Sequence, residues 1–240
     1  MYTNHTEERR VNTVALQPAR SPAPPMPGRV AIRRFAPEDA ASVHQIGADT
    51  ACFGDPVELI LDDRRLFIDA FMRPYTTHCA VTCWVAEADG HVIGYLTGCL
   101  DTATFGPALQ RALLHAAGRL LAGRYRVGRR TLRAGIGYLR EVASRRPQAD
   151  LAAYPAHLHI NLSAAYRGQG IGRRLMLAYL DQCRAAGAPG VHLSTSDHNV
   201  AAVQMYRALG FSVLHRRPAL YLSMVNRRAV EALIMGLRLV

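Results

Sequence analysis

The sequence predicts an α/β (α+β) domain, a sheet flanked by helices, on three observations. A strand-like run, His157–Leu162, leads into a glycine-rich turn, Arg167-Gly168-Gln169-Gly170-Ile171-Gly172, and then a helix-like run to about Ala186. Two alternating runs, Cys83–Ala88 and His91–Asp101, flank Asp89-Gly90, a two-residue hairpin turn. Read along the chain, the elements are β-α-α-β-β, an insertion, then β-α-β-α-β-β.

The individual elements follow from local signals. Residues 1–28 are polar and then proline-rich, and read as a disordered arm. Val30–Phe35 is the first strand. Pro37-Glu38-Asp39 opens a helix to about Thr50, because proline suits a first turn and acids suit its positive end. The break Phe53-Gly54-Asp55-Pro56 precedes a second helix, about Val57–Met72. Val191–Thr195 is a strand, and Asn199 can cap a helix that Gly210 stops. Phe211–His215 and Ala219–Val225 are two last strands, and Arg227–Val240 has helical propensity. The domain is thus expected over residues 29–226, with an insertion at 103–150 and a C-terminal tail at 227–240.

Composition narrows the class. The chain has 240 residues, half of them hydrophobic, which suffices for one buried core. All 29 basic residues are arginine, so no lysine of its own can be modified. Five scattered cysteines show no metal spacing and read as reduced thiols of a cytoplasmic protein. No apolar run is long enough to span a membrane.

Between Phe105 and Pro147 stand ten arginines and a single acid, Glu141. Leu132, Ile136, Leu139 and Ala143 fall at helical spacing, with Arg126, Arg129, Arg130, Arg133 and Arg140 on a neighbouring side. The simplest expectation is a basic helical hairpin whose apolar stripe packs on the domain. A dimer contact, an acidic-substrate site, or a surface for anionic lipid or nucleic acid are the alternatives.

The glycine-rich turn carries the first chemistry. Three glycines free the backbone to aim several N–H groups at one anion, and the following helix adds its unpaired N-terminal amides. Arg167, Arg173 and Arg174 add charge.

Two motifs together resemble the GNAT N-acetyltransferase superfamily. Arg167-Gly168-Gln169-Gly170-Ile171-Gly172 fits its Q/R-x-x-G-x-G/A signature. Asn199 to Phe211 fits its later N-x-x-A-x-x-x-Y-x-x-x-G-F block through Asn199, Ala202, Tyr206, Gly210 and Phe211. The run Pro155–Ile160 further resembles the acetyltransferase-like domain found with O-GlcNAc hydrolases and its stand-alone bacterial relatives. The resemblance implies a GNAT fold with a central mixed, mostly antiparallel sheet and the basic hairpin inserted between strands 3 and 4. It implies acetyl-CoA as acetyl donor, with no metal. Leu162, Arg167, Gly168, Gln169, Gly170, Ile171, Gly172, Asn199 and Tyr206 would bind it, the Leu162 N–H polarising the thioester carbonyl. Tyr206 would also protonate the leaving thiolate, since a phenol with a pKa of about 10 carries its proton at pH 7.

The base is open at this stage. Asp101, His157 and His159 are candidates, with Asp101 and His159 preferred. His157, His159 and Asn161 share one strand face. The resemblance leads to an Asp where Asn161 stands, and Asn cannot act as a base. Asp197 and His198 are weaker candidates, better read as part of the loop capping the last helix, while Asp55 could line the acceptor site but is better read as a turn residue.

Three function classes follow. The first is an acetyl-CoA-dependent N-acetyltransferase acting on an amine of an unidentified acceptor by direct transfer. The second is a non-catalytic CoA-binding fold that senses or scaffolds. The third binds an anionic nucleic-acid or membrane surface through the insertion. A homodimer is also open, since members of the superfamily often pair.

Overall fold

The computed structural model describes residues 29–52, 54–143, 149–219 and 229–239. The expected N-terminal arm therefore lies outside the described residues, as does most of the strand expected at Ala219–Val225.

The sheet has seven strands in the order β1-β2-β3-β4-β5-β7-β6. They are β1 (Ala31–Arg34), β2 (Trp84–Ala88), β3 (His91–Cys99), β4 (Ala156–Leu162), β5 (Gly190–Ser196), β6 (Ser212–Pro218) and β7 (Glu231–Arg238). Every pairing is antiparallel except β4 with β5. The helices are α1 (Ala40–Asp49), α2 (Arg64–Phe67), α3 (Arg73–His78), α4 (Thr102–Leu121), α5 (Arg129–Ala143), α6 (Ile171–Ala185) and α7 (Val200–Ala208). This is the mixed, helix-flanked sheet that the sequence predicts, with α4 and α5 inserted between β3 and β4.

The main core lies between the sheet and α6. Leu175, Met176, Tyr179 and Leu180 of α6 pack against Leu96, Leu158, Val191 and Met235. Tyr179 also fixes the start of β4: its hydroxyl lies 2.8 Å from the His157 carbonyl and 3.0 Å from that of Cys99. Gly98 makes room for that ring, since a Cβ there would sit 2.4 Å from it.

Three element expectations are corrected. The second helix begins at Arg64 rather than Val57, because Asp63 caps it by accepting the Arg65 N–H at 3.0 Å. It passes through a π-helical turn, Ile68–Met72, into α3. The wide turn precedes Pro74, whose ring would clash in a regular helix. At the C-terminus, the expected helix over Arg227–Val240 is instead β7, inserted between β5 and β6. Its run Ala232–Met235 is buried throughout, as a strand covered on both faces requires, and such continuous runs lack the alternation that marks a strand.

The insertion is the third correction. Its apolar stripe faces outward: Leu132, Ile136 and Leu139 are 60%, 52% and 67% exposed. The packed face carries Thr131, Ala134 and Gly137, residues small enough for the helix backbone to approach the domain closely. Asp62 anchors that face. Its Oδ2 accepts the N–H groups of Gly128 (2.7 Å) and Thr131 (3.0 Å) and the Thr131 hydroxyl (2.8 Å). Asp63 accepts the Arg126 N–H at 3.1 Å.

Asp63 is 4% exposed and serves two elements at once. Asp63→Ala is therefore expected to lower unfolding free energy by about 1–3 kcal/mol, read by chemical denaturation. Acid should act through the same kind of group. Hydrogen bonds from Arg33 and Arg64 hold the Asp39 and Glu58 carboxyls below their ordinary values of 3.8 and 4.5. A depressed carboxylate pKa contributes stability that is present above the unfolded value and lost as pH falls through the folded one. Denaturation midpoints should thus drop as pH falls below about 4, and Asp39→Asn should flatten that drop.

Candidate active site

β4 and β5 pair only at Ala156↔Val191 and His157↔His192. On its other edge β4 stays paired with β3 as far as Leu162, opposite Gly94. Successive N–H groups along a strand point to opposite neighbours. The Ser163 N–H bonds the Ile93 carbonyl at 2.9 Å, on the β3 side. Alternation therefore turns the N–H groups of Leu162 and Ile160 toward the side where β5 has diverged. The divergence opens a cleft of ≈ 680 Å³.

The glycine-rich turn closes one end of this cleft. Gly168 and Gly170 both have φ of 75°, a left-handed conformation that glycine adopts without penalty. Gly170 is the N-cap of α6, so the first amides of that helix open onto the same space. The turn's side chains divide. Arg173 lines the cleft, whereas Arg174 donates to the Val30 carbonyl at 2.9 Å, away from it. Gln169 donates to the Ala165 carbonyl at 3.2 Å and pins the turn. Arg167 donates through Nε to the Leu162 carbonyl at 3.1 Å and through Nη2 to the Gly54 carbonyl at 3.4 Å. It thereby ties the end of β4 to the loop after α1, whose Thr50, Ala51 and Gly54 form the facing wall.

Asn199 and Tyr206 reach the cleft from α7. Asn199 occupies the N-cap position, but its side chain makes no capping bond, and its amide has no hydrogen-bond partner among the described residues. Tyr206 is 5% exposed, and its hydroxyl has no protein partner among the described residues. Burial pushes this phenol up to about 12, so it holds its proton at neutral pH.

The strand histidines share one face, as the alternation predicts. Both bond a single residue: the Tyr75 hydroxyl lies 2.8 Å from His157 Nε2 and 3.0 Å from His159 Nε2. His157 is buried and its Nδ1 lies 2.7 Å from the Thr102 hydroxyl. Desolvation lowers it to about 3, so it is neutral. His159 opens onto the cleft, and the protein around it also holds it below the ordinary histidine value. Asn161 lines the cleft and donates to the Tyr95 hydroxyl at 2.9 Å.

The carboxylate candidates are not brought here. Asp101 caps α4, accepting the Ala103 N–H at 2.8 Å, and does not line the cleft. The fold spends this carboxylate on a helix terminus, which removes it as the expected base. Asp55 forms a small bridge with Cys52. Asp197 holds the start of β7, accepting the Glu231 N–H at 3.0 Å. Among the described residues no Asp or Glu lines the cleft, while Arg167, Arg173 and Arg217 do. No group of three or more His, Cys, Asp or Glu among them is placed to hold a metal ion.

Tyr75 escapes sequence reasoning. It lies 82 residues from His157, in a stretch without motif, and only the tertiary fold joins them.

Known proteins resemble this chain in both sequence and fold. A mycothiol acetyltransferase of Nocardiopsis dassonvillei is 43% identical over 54 residues, 22% of this chain and 16% of that protein. An uncharacterized protein of Mycobacterium leprae, ML0378, is 35% identical over 105 residues, 43% of this chain and 28% of that one. The chain thus spans under a third of the length of these curated relatives. The crystal structure of SsHAT matches with a TM-score of 0.66 and 27% identity, over 89% of this chain and 100% of that one. The structure of yncA from Salmonella typhimurium, solved with acetyl-CoA, matches with a TM-score of 0.53 and 15% identity, over 89% and 95% of the two chains. With the fold and the splayed strands in place, the match of residues 51–211 to the acetyltransferase (GNAT) family model shows that the chain belongs to that family.

Proposed function

We propose that this chain is an acetyl-CoA-dependent N-acetyltransferase that moves the acetyl group directly to an amine. The observation that carries this reading is the divergence of β4 from β5, with Tyr206, whose hydroxyl has no partner among the described residues, lining the space it opens. Family membership and relatives named as acetyltransferases support it. Acetyl-CoA would supply an activated thioester and an anionic pyrophosphate. The cleft suits both, with arginines, helix-terminal amides and no lining carboxylate among the described residues.

The chain's residues divide the work. The amides of Gly170 to Gly172 and the Arg173 guanidinium hold the pyrophosphate. Asn199 hydrogen-bonds the pantetheine arm, alongside the free N–H groups of β4. The Leu162 N–H donates to the carbonyl oxygen as it gains charge in the tetrahedral state. His159, neutral at pH 7, takes a proton from the incoming ammonium, and the freed amine attacks the carbonyl carbon. As the C–S bond breaks, Tyr206 protonates the thiolate. The amine's second proton restores the phenol. Burial of the cysteines, all free thiols, fits a reducing cytoplasmic setting.

Tyr206→Phe removes the proton donor and little volume. Turnover with a panel of primary amines should fall by about 10²–10³-fold, while the acetyl-CoA dissociation constant from calorimetry stays within about twofold. Equal turnover would take Tyr206 out of the mechanism. Binding of acetyl-CoA by the wild type with no transfer to any amine in the panel would favour a non-catalytic binding protein.

A further inference from the structure

We propose that Tyr75 is a positioning residue that fixes the two strand histidines in opposite tautomers, so that His159 presents its Nδ1 lone pair to the cleft. The functional meaning rests on the reading of His159 as base. The hydrogen-bond direction does not.

The direction follows bond by bond from the far end. The Thr102 hydroxyl oxygen lies 2.7 Å from the Pro155 carbonyl oxygen. Two oxygens that close need a hydrogen between them, and the carbonyl has none, so Thr102 donates it. Thr102 Oγ1 also lies 2.7 Å from His157 Nδ1. Its one hydrogen is spent, so the hydrogen in that contact belongs to His157 Nδ1. A neutral imidazole carries a single N–H, so His157 Nε2 is an acceptor. The Tyr75 hydroxyl, 2.8 Å away, must donate to it. The Tyr75 oxygen then accepts from His159 Nε2 at 3.0 Å, and His159 carries its hydrogen there. What remains is the Nδ1 lone pair of His159, which has no protein partner among the described residues.

The surroundings keep the chain in this state. Burial holds His157 neutral and pushes the Tyr75 phenol above its ordinary value, so each stays in the form the chain requires. Phe105 stacks on Tyr75 with ring centroids 4.4 Å apart, which fixes the phenol plane. The neighbouring titratable groups take other partners or remain neutral. His192 lies 5.7 Å from His157, ring to ring, and its Nδ1 bonds the Tyr154 carbonyl at 2.8 Å. Cys83 is pushed up to about 12 by burial, and its thiol bonds the Cys79 carbonyl at 3.3 Å. Cys79 and Cys99 lie in the same buried cluster as Tyr75, and Cys99 donates to the Asp101 carbonyl at 3.3 Å. A proton relay through the chain is not implied, because its last acceptor is a peptide carbonyl.

The test is long-range ¹H–¹⁵N NMR of the histidine rings in the full chain, labelled with ¹⁵N-histidine, at pH 7 without ligand. The expected result is His157 protonated on Nδ1 and His159 on Nε2; the reverse assignment in either ring overturns the inference. Tyr75→Phe keeps the aromatic stack. It should leave His159 as a mixture of tautomers and lower kcat about tenfold, a part of what a positioned base contributes, with KM for acetyl-CoA unchanged. Thr102→Val touches neither His159 nor the cleft, yet it should move the His159 ring signals through His157 and Tyr75. Unmoved signals would break the chain of inference. If the wild-type tautomers are as stated but no amine is acetylated, the clamp stands and the assignment of His159 as base falls.

Discussion

Everything in the site depends on β4 leaving β5 after a two-residue pairing. A strand that parts from its neighbour strands its own backbone groups, and buried unpaired N–H groups cost free energy unless something bonds them. Here the stranded groups face a cleft open to solvent and ligand, so the cost becomes a binding capacity. The opposite edge of β4 makes the divergence sustainable. Six consecutive pairings with β3 hold it straight to Leu162, and the Tyr179 hydroxyl pins its beginning beside the β3 terminus. Arg167 then takes the last carbonyl, that of Leu162. The strand is rigid on one side so that it can be free on the other.

Burial, rather than charge, sets the protonation of Tyr206 and His157. No carboxylate lines the cleft among the described residues, so neither the phenol nor the histidines gain an ionic partner there. Desolvation alone pushes Tyr206 up and is the largest cause of the downward shift at the buried His157. Burial favours the neutral form of each group, so the two types move in opposite directions. A neutral phenol can give a proton and a neutral imidazole can take one. The same burial therefore keeps the proton on the Tyr206 phenol and off the His157 imidazole without a charge pair to distinguish them.

The glycine-rich end of the cleft and its α7 side were legible in the sequence as motifs, because each is built from contiguous residues. Arg167 to Gly172 and Asn199 to Tyr206 each carry their spacing within one strand–turn–helix or one helix. The strand histidines were legible as a face for the same reason. What failed depended on distant partners. Asp101 sits at a strand end, where a base could stand, but the next helix needed a cap and took it. β7 reads as helix because a strand buried on both faces loses its alternation. The stripe of Leu132, Ile136 and Leu139 reads as the packed face because apolar area usually decides packing. Here close approach over Thr131, Ala134 and Gly137, reinforced by Asp62, decided it instead.

That inverted helix bears on the cleft more closely than its position in the sequence suggests. Ala134 of α5 packs with Ala48, Val57 and Leu61, which lie on both sides of the loop carrying Thr50, Ala51 and Gly54. Arg130 donates to the Glu58 carbonyl at 2.9 Å, just beyond the same loop. On the loop's other side, Arg167 reaches the Gly54 carbonyl. The wall facing β4 is thus held between the insertion and the glycine-rich turn. An insertion that packs through small residues can sit close enough to brace it, where a leucine face would have stood up to about 2 Å further off.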